Sequence, residues 1–199
     1  MATPYESVFS DYEIRKMSIK VGDGEFKACD CVGSLEEELN TISVTKKCRG
    51  MVAKTRVRGA GDGTLTLSCH MPWDIYVSLY SMDVEGLADG VHAYGRNSVH
   101  KTFTIVLDTY DEDGVEKFRA YPACIMTSGL ARKVENGAEE VAELEMEISV
   151  TPDADGNCVY DCMVSELGED KNGLKSKWMT AWTPELVKAT AETKVAKAK

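Results

Sequence analysis

Alternation of apolar and polar side chains is the main pattern along this chain, and it predicts β-strands. The clearest case is Glu143 to Val150, where acids alternate with Leu, Met, Ile and Val. A period of two places the two sets on opposite faces of a strand, so one face is buried and the other is strongly negative. Similar patterns predict strands at Tyr12 to Val21, Glu25 to Val32, Thr64 to His70, Thr102 to Thr109, Val115 to Pro122 and Cys158 to Val164.

Turn sequences join several of these segments into hairpins. Gly22-Asp23-Gly24 lies between the first two strands, and Asp111-Glu112-Asp113-Gly114 lies between two later ones. Glycine and aspartate favour tight turns, so each pair is predicted to form a hairpin. Asn40 to Gly59 is rich in Thr, Val and Lys and is interrupted at Gly50, which predicts an extended arm or a long hairpin.

One segment has a clear helical period. Pro72 suits the first helical position, and the apolar side chains of Ile75, Leu79 and Met82 follow on one stripe. These features predict a helix over about residues 72–82 that packs on the sheet.

The remaining segments lack both periods. Ser34 to Leu39 is predicted to form one helical turn or a loop, and Gly59 to Gly63 a flexible joint. Asp83 to Lys101 contains several glycines and is predicted to be a loop. Beyond Gly168 the pattern weakens, although Thr183-Pro184 is typical of a helix start, so this basic tail is predicted to be a short helix or an arm.

These elements predict a mainly β protein: a β-sandwich or barrel with one flanking α-helix and extended arms. The 199 residues are 43% hydrophobic, which supports one core. We expect one domain over residues 1–167, with the arm or hairpin at 41–59, followed by a C-terminal arm or short helix over 168–199. No run approaches the roughly 18 apolar residues of a membrane span. The N-terminus lacks the features of a secretory signal, so a cytosolic protein is expected.

Charge is segregated along the chain. The formal net charge is -10, which argues against a protein that binds the phosphates of nucleic acid. Residues 151–170 hold six acids and no base. Residues 41–59 hold six bases and no acid, namely Lys46, Lys47, Arg49, Lys54, Arg56 and Arg58. Opposed patches of this kind favour self-association, in which the arm of one copy lies on the acidic body of the next. Alternatively, the lysines only protect an edge strand from aggregation.

Two tryptophans form a second candidate contact. Trp178 and Trp182 are four residues apart, which on a helix places both rings on one side. They anchor the tail either to its own core or to a neighbouring subunit, since tryptophan is enriched at interfaces. The candidate subunit interface is therefore the six cations of the arm with these two rings.

Catalytic, cofactor and metal sites are not predicted. The chain lacks the common nucleotide-binding and hydrolase motifs, and none of its three histidines lies beside a serine or cysteine in a known arrangement. The seven cysteines include Cys29-x-Cys31 and Cys158-x3-Cys162, which do not have the spacing of a zinc knuckle. We therefore expect reduced core cysteines, no cofactor and no enzymatic activity.

Three successive stretches carry a family resemblance: GDGTLTLSCHMPWDIYVSLYSM, HKTFTIVLDTYDEDGVEKFRAYPACIM and KVENGAEEVAELEMEISVTPDADGNCVYDCM. Together they resemble the major tail tube protein of long-tailed bacteriophages with a non-contractile tail. The resemblance covers about residues 12–165. It depends on the order of the elements, which is a strand, a single helix, a glycine loop, a hairpin and an acidic strand.

The resemblance implies a structural virion protein without turnover chemistry. Six copies would close into a ring, and rings would stack into a tail tube through which DNA is ejected. Residues 41–59 match the hairpin with which family members bridge neighbours, and the tail from Gly168 would be a stacking arm. The implied partners are further copies, the tape measure, the terminator and the baseplate or distal tail proteins. Assembly is expected in the host cytoplasm.

An acidic lining suits such a tube, because it repels DNA without binding it and acts over a screening length of roughly 8 Å. The candidate lining residues are Asp111, Glu112, Asp113, Glu143, Glu145 and Glu147. Alternation does not reveal whether their face points inward or outward.

Other functions remain open at this point. The nearest alternative is the inner tube of a contractile tail or a related secretion machine. A carbohydrate-binding β-sandwich is more remote, since Trp73, Trp178 and Trp182 fall in helix-like segments and not in an exposed groove. An enzyme on a β-barrel is the least supported.

Overall fold

The fold is a single antiparallel sheet of eight strands, seen in a computed structural model that describes residues 9–130, 132–167 and 173–188. The strands are β1 Glu13–Val21, β2 Phe26–Ala28, β3 Val32–Cys48, β4 Met51–Cys69, β5 Phe103–Tyr110, β6 Glu116–Met126, β7 Leu144–Thr151 and β8 Tyr160–Met163. The helices in these residues are α1 Trp73–Leu79 and α2 Leu174–Ala181, with a 3-10 turn at Val164–Glu166. The prediction of a mainly β protein is confirmed.

The sheet curls until its two edges meet. Its order is β2-β1-β5-β6-β7-β4-β3, with β8 on β6, so β2 and β3 lie at opposite edges. Only residues 29–31 connect them, and such a link spans at most about 14 Å. The backbone N–H of Cys29 donates to Met17 of β1 (2.8 Å), and the N–H of His70, just after β4, donates to Cys31 (2.9 Å). The link therefore bonds to both sides of the closure.

Apolar side chains on the inner side of the curled sheet form the main core. The strand residues in it include Met17, Ile19, Leu65, Leu67, Ile105, Leu107, Tyr121, Met146, Ile148 and Val150. Helix α1 adds Ile75 and Leu79, which are both buried. Each large aliphatic side chain buried here contributes about 1.5–3 kcal/mol of stabilisation, so this core is the main source of stability.

Helix α1 is shorter than predicted but contacts the core through the predicted stripe. Pro72 immediately precedes it, and it ends at Leu79 because Ser81 adopts a left-handed backbone (φ 48°). Asp74 in its first turn accepts a hydrogen bond from Lys27 of β2 (2.5 Å). This bond lowers the pKa of Asp74. The helix is thereby joined to the β1–β2 hairpin.

A second, smaller core lies on the outer face of the sheet. Val106, Phe118 and Ala120 of β5 and β6 are covered there by Trp178 of α2 and by Trp182, each of which is 1% exposed. Trp178 stacks on Phe118 with ring centroids 5.3 Å apart, and its Nε1–H donates to the carbonyl of Arg119 (3.3 Å). The tail thus anchors to its own core.

Two sequence predictions about the tail are corrected by these contacts. Trp178 and Trp182 are not surface anchors for a neighbour, because their rings fill the space above β5 and β6. Residues 173–188 are not a free arm, and the helix lies at Leu174–Ala181 and not after Thr183. The rest of the predicted basic arm, from residue 189 onward, lies outside the described residues.

The prediction for Ser34 to Leu39 was also wrong, since this segment is part of β3. Leu35 and Leu39 pack against the main core, and Glu36 and Glu38 are exposed. The three consecutive glutamates favour a helix locally, but pairing with β4 overrides that preference.

A charged cluster closes the end of the curled sheet opposite α1. Asp11 lies 2.8 Å from Lys117 Nζ and 3.2 Å from a terminal nitrogen of Arg119, and Arg119 also pairs with Asp161 (2.7 Å). Partial burial acts to raise the pKa of Asp11, but the hydrogen bond from Lys117 and the charge of Arg119 outweigh it and lower that pKa. The ion pairs hold the segment before β1 against the sheet.

Gly63 is required where β3 and β4 leave the body of the sheet. The ladder shifts between Leu39 and Thr41, and a Cβ on Gly63 would lie 2.5 Å from the carbonyl oxygen of Glu38. We expect Gly63→Ala to lower the free energy of unfolding by about 1–3 kcal/mol, measured by urea denaturation. Gly59→Ala is the matched control, because a Cβ there meets no atom within 4 Å, and its effect should stay below about 1 kcal/mol. Equal effects would contradict the steric explanation.

Candidate assembly surfaces

The predicted long hairpin is present, formed by the distal halves of β3 and β4. Its turn is Arg49-Gly50, with positive φ values of 50° and 80°. Two central residues with positive φ match the right-handed twist of the flanking strands. Cys48 pairs with Met51 directly beside the turn. Residues 41–59 therefore form a two-stranded ribbon that continues β3 and β4 beyond the body of the sheet.

The ribbon has two different faces. Strand register pairs Ile42 with Arg58, Val44 with Arg56 and Lys46 with Lys54, and alternation places them on one side. We call this set the cationic face: Ile42, Val44, Lys46, Lys54, Arg56 and Arg58. The other side carries Ser43 opposite Val57 and Thr45 opposite Thr55. Lys47 lies beyond a register shift near the tip, and Arg49 is in the turn.

The cationic face has no anionic partner within the described residues. None of the six cations of residues 41–59 forms an ion pair there. Lys46 lies directly opposite Lys54, an arrangement that is unfavourable by itself. The apolar members of this face, Ile42 and Val44, are 39% and 64% exposed. Exposed apolar side chains among unpaired cations are typical of a surface that binds a partner.

A second charged surface lies on the half of the outer sheet face that α2 does not cover. Register aligns Glu36 of β3, Thr66 of β4 and Glu147 of β7 in one row across three strands. Glu38 and Glu145 lie in the neighbouring rows on the same side. We call the exposed carboxylates Glu36, Glu38, Glu145 and Glu147 the acidic sheet face.

This face is strongly negative because its carboxylates are unpaired. None of the four forms an ion pair with a described residue. Glutamates two strands apart are separated by about 10 Å, close to the screening length at physiological salt. Their fields therefore overlap and present a continuous negative surface.

The structure separates the predicted lining acids into different environments. Glu145 and Glu147 belong to the acidic sheet face. Glu143 is also exposed, but its carboxylate lies over Gly33 of β3, where a Cβ would collide with it. Glu36 and Glu38 were missed by the sequence analysis. No pattern in the sequence marked them, because three consecutive glutamates separate Leu35 from Leu39 and the segment does not alternate.

The acids of the β5–β6 turn do not form one surface. Asp111 is buried, and its Oδ1 accepts hydrogen bonds from the backbone N–H groups of Asp113 (3.0 Å) and Val115 (2.6 Å). Asp111 is therefore a turn residue and not part of an exposed lining. Glu112 and Asp113 are exposed at the tip of the turn.

No metal centre is evident in the described residues. No group of three or more His, Cys, Asp or Glu side chains there is placed to hold a metal ion. Cys29, Cys69, Cys124 and Cys158 are buried, as predicted for core cysteines, whereas Cys31 and Cys48 are exposed. Burial raises the pKa of the Cys124 thiol. Across the described ranges, no helix has the length and apolar character needed to cross a membrane.

Comparison with known proteins finds similarity only to solved structures. No family model matches the sequence, and no curated protein matches it. A structure of the anti-feeding prophage cap, which terminates the AFP tube, has a TM-score of 0.40 and 14% identity over 82% of this chain and 100% of that chain. A structure of the anti-feeding prophage baseplate has a TM-score of 0.44 and 11% identity over 84% and 100% of the two chains.

A third similar structure is the sheath-tube complex of an extracellular contractile injection system, PVC. Its TM-score is 0.43, with 15% identity over 82% of this chain and 99% of that chain. All three are parts of phage-tail-like particles, and none is described as a non-contractile phage tail. The non-contractile assignment therefore stays a prediction. At these TM-scores the likeness assigns no function to this chain.

Proposed function

We propose that this chain is a structural subunit that polymerises into the tube of a phage-tail-like particle. The main supporting observation is the ribbon of residues 41–59, which extends beyond the body of the sheet. Its cations have no anionic partner in the described residues, and its apolar side chains are exposed. Because the whole chain has a net charge of -10, such a ribbon is complementary to other copies of the same chain. Self-association would bury its apolar side chains and neutralise its cations.

The finer proposal follows the family resemblance. Six copies would close into a ring, and rings would stack into a tube. The acidic sheet face would line the bore, because among the described residues no helix covers that half of the sheet, and its exposed side chains are unpaired acids and small hydroxyl groups. Such a wall repels the phosphates of DNA over roughly 8 Å and leaves the duplex free to slide.

The proposed role requires neither turnover chemistry nor a cofactor. It covers tubes of contractile and non-contractile particles alike, since a projecting ribbon and an acidic wall serve both. The proposed partners are other copies of the chain. The tape measure, terminator and baseplate or distal tail proteins would contact the interior or the ends of the tube. DNA would pass without specific binding.

Negative-stain microscopy of the purified protein tests this proposal. We expect hollow rods or rings. The protein concentration needed for assembly should rise with salt, because salt screens the ionic contacts between subunits. A series from low salt to about 1 M would be examined in parallel by sedimentation velocity. Monodisperse monomers at every concentration and salt would overturn the proposal.

A further inference from the structure

The exposed apolar side chains of the described residues lie mainly at three places. One is the ribbon, with Ile42, Val44, Met51, Val52 and Val57. The second is the α1 end of the molecule, where Val84, Leu87 and Val91 of the loop after α1 are 46%, 42% and 52% exposed. The third is the β6–β7 loop with Val134 and Val141, but this loop carries Arg132 and Lys133 beside its acids and so does not present a single sign of charge. Apolar surface concentrated in this way suggests that it is covered in the working state.

The loop of residues 83–91 combines this apolar surface with negative charge. Asp83, Glu85 and Asp89 are its three charged residues, so it has acids and no base. All three are exposed. The loop therefore carries the same kind of mixed surface as the cationic face, with the opposite sign.

Internal contacts restrain both ends of this loop. Asp83 Oδ1 lies 2.9 Å from His92 Nδ1, and the His92 ring makes an edge contact with Trp73. The N–H of Val91 donates to the carbonyl of Ala88 (3.0 Å). A preformed surface costs less conformational entropy when it binds.

We infer that the cationic face of one copy binds the 83–91 loop of a second copy. Glu85 and Asp89 would pair with the cations, and the exposed valines and leucine of the loop would cover Ile42 and Val44. This inference rests on the proposed function, and it identifies the surface on which the ribbon docks.

The acidic sheet face fits the ribbon less well. Its strands present Thr64, Thr66 and Ser68 between the glutamates, so it offers charge without apolar area. Ion pairs at an exposed surface contribute roughly 0.2–1 kcal/mol each, too little to compensate for leaving Ile42 and Val44 in water. The loop offers both kinds of contact.

The two surfaces lie at opposite ends of β4. The strand begins at Met51 beside the ribbon turn and ends at Cys69, from which the chain continues into α1 and the loop. Nineteen residues span up to about 60 Å. A contact between opposite ends of identical molecules is heterologous, so repeating it either closes a ring or continues as a filament. A tube of stacked rings can use such a contact within a ring or between rings.

Two charge-reversed variants test the inference together. The ribbon variant is Arg56→Glu with Arg58→Glu, and the loop variant is Glu85→Lys with Asp89→Lys. Asp83 is left unchanged because it bonds His92. Alone, each variant juxtaposes like charges, and we expect its rate of assembly, followed by light scattering, to fall about tenfold or more. Mixed in equal amounts, they restore both complementary contacts, and rods should form again.

Control pairs make the result specific. Glu139→Lys with Glu140→Lys changes the net charge by the same amount on the exposed β6–β7 loop. Glu36→Lys with Glu145→Lys makes the same change on the acidic sheet face. We expect both to assemble at the wild-type rate. If the loop variant assembles normally, or only the sheet-face pair blocks assembly, the docking surface is not this loop. Failure of the mixture to form rods would also overturn the inference.

These outcomes are separable from failure of the proposed function. Wild-type protein that never forms rods would overturn the tube itself. If the wild type forms rods and the loop variant assembles at the same rate, only this contact is overturned. Binding to vesicles that contain about one third phosphatidylserine is a further test. If they bind wild-type protein but not the ribbon variant, and no mixture restores rods, the ribbon binds anionic lipid and not a second copy.

Discussion

Protein in which Lys54, Arg56 and Arg58 are all replaced by glutamate is expected to remain a folded monomer under conditions where the wild type assembles. The three cations lie on one face of the ribbon and have no ion pair within the described residues. Three lost pairs at about 0.5 kcal/mol each correspond to a roughly tenfold higher concentration for assembly, and the new repulsion adds to that. Sedimentation velocity and negative-stain microscopy measure the effect.

The same variant should unfold like the wild type. Its replaced side chains are exposed, and removing the cation at Lys54 relieves its repulsion with Lys46 on the paired strand. The expected change in unfolding free energy is within about 0.5 kcal/mol. For single changes, Arg56→Glu should slow assembly and Lys133→Glu, at an exposed loop position, should not. Normal tubes from the triple variant would contradict a role for the ribbon in assembly.

Trp178→Ala should produce the largest loss of stability among single substitutions on the outer face. The ring is 1% exposed, stacks on Phe118 and donates a hydrogen bond to the Arg119 carbonyl. Removing a buried tryptophan costs about 3–5 kcal/mol, because the cavity cannot close against a rigid sheet. Urea denaturation of the monomer, followed by circular dichroism, measures the change.

Trp73→Ala is the matched control for that substitution. Its ring is 53% exposed at the start of α1, so we expect a loss of about 1 kcal/mol or less. If Trp178 instead served as an anchor for a neighbouring subunit, Trp178→Ala would impair assembly and leave the unfolding midpoint unchanged. That result would contradict the packing described for α2.

Most strands were predictable from sequence because they lie at a boundary between core and solvent. A strand such as β7 must place Met146, Ile148 and Val150 inward, and period-two alternation follows directly from that requirement. Segments with mixed preferences were not predictable. Ser34 to Leu39 has a helix-favouring composition, and only its pairing with β4 makes it a strand.

A short helix was predicted in the tail, but the position of α2 was wrong for a related reason. In its eight residues, Leu174 and Met179 pack beside Trp178, but only Trp178 is buried. An apolar stripe over two turns is too short for the sequence pattern to mark where the helix begins and ends. Its position depends on the apolar surface of Val106 and Phe118, which belong to distant parts of the chain.

The candidate surfaces show the same division. The six cations of residues 41–59 were recognised from composition, but their distribution over two faces needed the register of β3 with β4. Glu145 and Glu147 were recognised as one face of a strand, whereas Glu36 joins them only because β4 lies between β3 and β7. Asp111 was assigned to the lining, yet it turns inward to bond two backbone amides.

By itself, the sequence determined the class of fold, the ribbon and the separation of its charge from the acidic body, because these depend on side-chain period and composition over neighbouring residues. Only the tertiary structure decided which acids share a surface, that both tail tryptophans are buried, and that the cationic face and the 83–91 loop lie at opposite ends of one strand. Those facts depend on strand order and register, which are set by contacts between residues far apart in the chain.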